Sequence, residues 1–62
     1  SYTIFKKYVE EPINTLIEHT ERISMGEVDQ RIPITSKDEI GRLAEAFERM
    51  RVSIKKVMDL LK

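Results

Sequence analysis

The sequence has no cysteine, no tryptophan and a single histidine, His19, in 62 residues. Without cysteine there is neither a disulfide nor a thiolate metal site. One imidazole with scattered carboxylates makes a poor structural zinc site, so no metal is expected. A chain this short rarely buries enough apolar surface to be stable alone, and here it has no covalent or metal staple to help. A partner chain is the remaining device. Charge of one sign is also lacking, with 11 basic residues against 11 acidic. A nucleic-acid module would carry a basic excess on one face, so no nucleic-acid partner is expected. No apolar run approaches the roughly 20 residues that span a bilayer. No signal-peptide pattern is present, and the segment reads as a piece of a longer protein. The lack of cysteine fits a cytosolic setting.

What is present falls into parts marked by few punctuating residues. Residues 1–11 form a lead-in, 12–25 a first helix, 26–37 a connector and 38–57 a second helix, with 58–62 starting a downstream coiled coil. There is no internal repeat and no low-complexity tract. In the second helix Ile40, Leu43, Phe47, Met50, Ile54, Val57 and Leu61 recur at alternating spacings of three and four, a heptad seam of the coiled-coil kind. Glu45, Glu48, Arg49, Lys55, Lys56 and Asp59 fall outside that seam, where water solvates them. Ser36 and Glu39 have the spacing of a capping box, each side chain satisfying an orphan backbone N–H. Gly41, about 1 kcal/mol worse than Ala inside a helix, marks tight packing or the crossing of another chain segment.

The first helix repeats the pattern with Ile13, Leu16, Thr20 and Ile23, widened by Ile17. Pro12 suits its first position, because its missing N–H would be an orphan there anyway. If the lead-in is helical as well, Pro12 makes a kink. Glu18 and Arg22 are spaced to pair on the outer face. Gly26 is placed to end the helix in a left-handed conformation.

The connector decides the architecture. A helical hairpin needs about 2–5 loop residues, and here there are about 12. That length, up to roughly 40 Å extended, covers the first helix's span of about 21 Å, so the second helix can start parallel to the first. Val28, Ile32 and Ile34 are apolar, which a solvated loop would not need. Two one-sided parallel helices cannot cover each other. Two copies make a parallel four-helix coiled coil, so the fold expected is all-α, helix–connector–helix, as a homodimer.

Several residues together resemble a known family. Pro12-Ile13 with Leu16, Gly26-Glu27-Val28, Ile32-Pro33, and Asp38-Glu39-Ile40-Gly41 with Leu43, Phe47 and Met50 resemble the HAMP domain, and the resemblance covers residues 12 to about 57. Asp38-Glu39-Ile40-Gly41 looks like the family's D-E-x-G signature, with Pro12 part of the same pattern. The resemblance implies that Val28 and Ile32 pack into the bundle as connector anchors beside Gly26. It also implies a place between a transmembrane helix, or another HAMP unit, and a cytoplasmic output domain of the same chain. Thr20, polar in the seam, and Ile34 depart from the pattern.

The function expected is therefore relay of a signal from a membrane sensor to its output by switching between helix-packing states of a dimer, on the cytoplasmic side of the membrane. The alternative is a passive coiled-coil spacer, which would need neither the apolar connector nor Gly41. No enzyme activity, cofactor or small-molecule ligand is expected, since no titratable group or nucleophile is placed with Glu39. His19 reads as a solvated helix residue, for no kinase phosphoacceptor context follows it. Met25, Met50 and Met58 read as gap-fillers. Thr20 reads either as a helix Thr bonding back to the preceding turn or as a weak layer that permits two packings. In the lead-in, Tyr2, Phe5 and Tyr8 with Lys6 and Lys7 have the composition of the cytoplasmic end of a membrane helix; the bland reading is a plain helical extension of the bundle.

Overall fold

Helical winding begins at Tyr2, well before Pro12. The computed structural model describes all residues, Ser1–Lys62. It contains α1 (Tyr2–Phe5), a π-helical turn (Lys6–Glu10), α2 (Glu11–Ser24) and α3 (Glu39–Leu60), and no strand. The first three run as one rod. Pro12 does not open a helix. It sits one residue inside α2, directly after the π turn, where the Glu11 N–H donates five residues back to the Lys6 carbonyl. A proline has no N–H to give residue i−4, and its ring collides with that residue's carbonyl. A wider π turn accommodates both demands without ending the helix.

The end of α2 follows from Gly26. Its φ of +90° is open to glycine and strained for any other residue. The Gly26 N–H donates to the Ile23 carbonyl at 3.0 Å and the Glu27 N–H to the Arg22 carbonyl at 3.0 Å, the paired bonds of a Schellman cap. The chain then turns back. The start of α3 is capped by Asp38, whose Oδ1 accepts from the Ile40 N–H at 3.0 Å. The Ser36–Glu39 capping box does not form. The N-cap position falls two residues later than Ser36, at Asp38, and Ser36 instead donates its hydroxyl to the Asp38 carboxylate. That bond, with the backbone N–H groups of Ile40 and Gly41, holds the Asp38 carboxyl below its ordinary range.

Helices α2 and α3 are parallel. Near their beginnings, Pro12 and Leu16 line one cleft with Ile40, Gly41 and Ala44. Near their ends, Thr20 and Ile23 share a groove with Phe47, Met50 and Ile54. The connector lies between them and runs the opposite way. It starts at Gly26, level with Met58, and finishes at Ser36, over Gly41. The apolar core is small: Leu16, Ile32 and Ala44 form one buried cluster with Ile23 and Phe47 packed against it, and Val28 is buried farther along.

Candidate functional site

Two neighbouring stripes on α3 do different work. One consists of Gly41, Ala44, Glu48, Arg51, Lys55 and Met58, again spaced three and four apart, and it receives the connector. Gly41 lies so close beneath Ser36 that a Cβ there would fall 1.9 Å from the Ser36 carbonyl oxygen. The crossing segment expected at this glycine is therefore the chain's own connector. Ala44 meets Ile32, which is 2% exposed.

Below that contact the attachment is polar. Glu48 Oε1 accepts from the Ile32 N–H at 2.9 Å. Arg51 grips the same carboxylate with two parallel bonds, Nε to Oε1 at 2.8 Å and Nη2 to Oε2 at 2.6 Å, and donates Nη1 to the Val28 carbonyl at 2.6 Å. Arg31 approaches Glu48 at 3.8 Å. Lys55 Nζ donates to Asp29 Oδ1 at 2.6 Å and lies 3.6 Å from Asp59. The Ile32 N–H and the Val28 carbonyl, one backbone group from each of the two buried connector residues, thus find partners on one helix face, as a buried N–H or C=O must. The bidentate bond to Arg51, reinforced by the Ile32 N–H, lowers the Glu48 carboxyl to about 2. Arg51 is raised in return, chiefly by its bond to Glu48. Lys55 and Asp29 shift each other the same way, Lys55 up and Asp29 down.

This clamp corrects the sequence reading in two places. Glu48 does not belong to a solvated face: its side chain is 15% exposed and engaged on both oxygens. Arg51, which carried no role in that reading, is buried. A further correction concerns Arg22, which donates to Gln30 Oε1 at 3.0 Å in place of a pair with Glu18. The one available signal was the second three-four stripe beside the heptad seam, with Glu and Arg three apart on it.

The other stripe is the seam itself, and it is left open. Met50 is 54% and Val57 56% exposed, and Leu43 and Ile13 are exposed as well. Ile23, Ile40, Phe47 and Ile54 are half-buried. Between α2 and α3 this face carries an apolar groove of about 270 Å³ lined by Thr20, Ile23, Phe47, Met50 and Ile54. Thr20, one of the lining residues, donates its hydroxyl to the Ile17 carbonyl at 2.8 Å. Glu39 is exposed and makes no hydrogen bond to the Pro12 end of α2; the two helix starts meet instead at the cleft that Pro12 and Leu16 line with Ile40, Gly41 and Ala44. His19 is half-buried. No group of three or more His, Asp or Glu side chains is gathered as a metal site.

Residues 11–56 match the HAMP domain family. The chain belongs to that family. HAMP domains are signal-transduction modules and non-catalytic linkers. Over 60 residues, 97% of this chain and 12% of the relative, it is 40% identical to the heme sensor protein HssS of Staphylococcus saprophyticus. It is 39% identical over 51 residues to the methyl-accepting chemotaxis protein CtpH of Pseudomonas aeruginosa, covering 82% of the chain and 9% of that protein. Sensor protein SrrB of Staphylococcus aureus is 34% identical over 53 residues, 86% of the chain and 9% of the relative. The HAMP segment thus spans about a tenth of the curated relatives it matches. No solved structure matches it significantly.

Proposed function

We propose that two copies of this HAMP domain pair in parallel as a four-helix bundle and relay a signal by exchanging helix-packing states. The observation that carries this reading is the open seam. The chain satisfies its connector stripe internally, yet leaves Leu43, Met50 and Val57 in water along one face, contiguous with an apolar groove. Exposed apolar faces of this kind mark association surfaces. In the dimer Ile13, Leu16, Thr20, Ile23, Ile40, Leu43, Phe47, Met50, Ile54 and Val57 form the layers of the core.

Switching follows from packing. A bundle of packed helices moves between discrete arrangements and does not deform continuously. A difference of a few kcal/mol between the arrangements lets a modest stimulus shift the populations. The connector is fastened to α3 by Gly41, Ala44, Glu48, Arg51 and Lys55, whereas α2 gives it one polar side-chain bond, Arg22–Gln30, beside the apolar packing of Leu16 and Ile23. A passive spacer has no use for such a fastened connector. In the intact protein an upstream transmembrane helix moves α2, and α3 passes the change to an output domain on the cytoplasmic side. No helix of this chain is itself long and apolar enough to cross a membrane. Sedimentation equilibrium should return twice the chain mass; a well-folded monomer at micromolar concentration overturns the reading.

A further inference from the structure

The π turn sets which side of the lead-in faces the α2 seam. In an unbroken α-helix the seam of Ile13, Leu16, Thr20 and Ile23 would continue upstream through Val9, Lys6 and Tyr2, at heptad spacing. That path places a lysine from each chain at the dimer axis, where a charge without a partner is costly. Ile4 and Tyr8 would then turn away to the outside. The structure does not wind this way, because Lys6–Glu10 form a π turn. A π turn takes up about one more residue than an α turn, which rotates everything upstream by roughly 100°. Ile4 then lies where Phe5 would have been and Phe5 where Lys6 would have been. Tyr8 and Val9, inside the turn, flank the seam direction. Lys6 and Tyr2 swing off it. Lys7 Nζ folds back to 5.7 Å from the Tyr8 ring centroid, a cation at the rim of an apolar stripe.

We propose that the π turn re-phases the lead-in so that Ile4, Phe5, Tyr8 and Val9 extend the α2 seam, their occupant being the same segment of a second copy. The stripe is continuous with the seam that the dimer reading assigns, and Ile4, Phe5 and Tyr8 are exposed in the single chain. The inference rests on that dimer reading and adds a register to it. Pro12 supplies the cause, since it forbids the bond that an unbroken α-helix would make at this level.

The chain has no cysteine, so any introduced thiol is unique. Ile4→Cys and Tyr2→Cys, in the full chain and with Lys6 retained, report the two registers, while Ile13→Cys and Met50→Cys report the bundle. Because a disulfide needs Cα atoms within about 7 Å, mild oxidation should cross-link Ile4→Cys roughly tenfold faster than Tyr2→Cys. The reverse order shows unbroken α winding and overturns the proposal. Slow reaction at both lead-in positions with fast controls means that the lead-ins diverge, which also overturns it but leaves the dimer standing. Slow controls together with a monomer mass in sedimentation remove the dimer and this proposal together.

Discussion

Ile32 is the residue on which the connector turns, and Ile32→Ala is the perturbation that tests its placement. The side chain is 2% exposed and wedged between Leu16 of α2 and Ala44 of α3. The substitution removes three carbon groups, a transfer loss of about 2.4 kcal/mol at roughly 0.8 kcal/mol per buried methylene. The cavity adds to this at about 24 cal/mol per Å³ of space that the neighbours fail to fill. Leu16 and Ala44 sit on helices held by their own backbone bonds and cannot close in fully, so we expect a total of about 3–4 kcal/mol per chain, within the usual range for Ile→Ala. Ile34→Ala is the internal control: that side chain is 44% exposed and should cost less than about 0.5 kcal/mol. Urea denaturation followed by far-ultraviolet circular dichroism reads both, at one fixed protein concentration because a dimer's midpoint depends on it. Equal, small losses at the two positions would mean that the connector is a solvated loop and that the core assignment is wrong.

Three further outcomes follow from particular contacts. Gly41→Ala should destabilise by roughly 2 kcal/mol or more in thermal melts, despite the about 1 kcal/mol that alanine gains in an open helix, because its Cβ would meet the Ser36 carbonyl, a backbone atom. Glu48 is lowered from 4.5 to about 2 in the folded chain, so its contribution is complete above the unfolded value and is lost as pH falls through the interval between the two. Arg51→Met removes the main cause of that depression and should flatten this acid limb in pH-dependent melts; an unchanged limb would place its origin elsewhere. On the proposed relay function, enlarging Thr20 to Val or Leu should raise the melting temperature and bias the full-length protein's output one way, with Ala or Gly biasing it the other; output indifferent to size would make Thr20 a core residue only.

Much of the architecture is local and therefore legible in the chain itself. A heptad spacing such as Ile40, Leu43, Phe47, Met50, Ile54 specifies an amphipathic helix because neighbours three and four apart share a face whatever else surrounds them. Gly26 after the last seam residue specifies its left-handed stop for a similarly local reason. Gly41 announced a crossing segment, and the length of the connector announced parallel helices. Which segment crosses, and on which face, depends on contacts between residues far apart in sequence. Ile32 meets Glu48, Val28 meets Arg51 and Asp29 meets Lys55 only once the connector has turned back along α3. A charged residue one position off an apolar seam looks the same in sequence whether it faces water or a returning backbone. Folding decided that Glu48 and Arg51 face the backbone, because buried N–H and C=O groups must find partners and the connector's lay within their reach. The capping box failed for a related reason: the spacing of Ser36 and Glu39 was right, but Ser36 passes closely over Gly41 as part of the connector, and the N-cap of α3 is Asp38. Pro12 likewise disclosed a disturbance in the helix, while its form, a π turn that carries the helix through, was settled by where the flanking turns could keep their bonds.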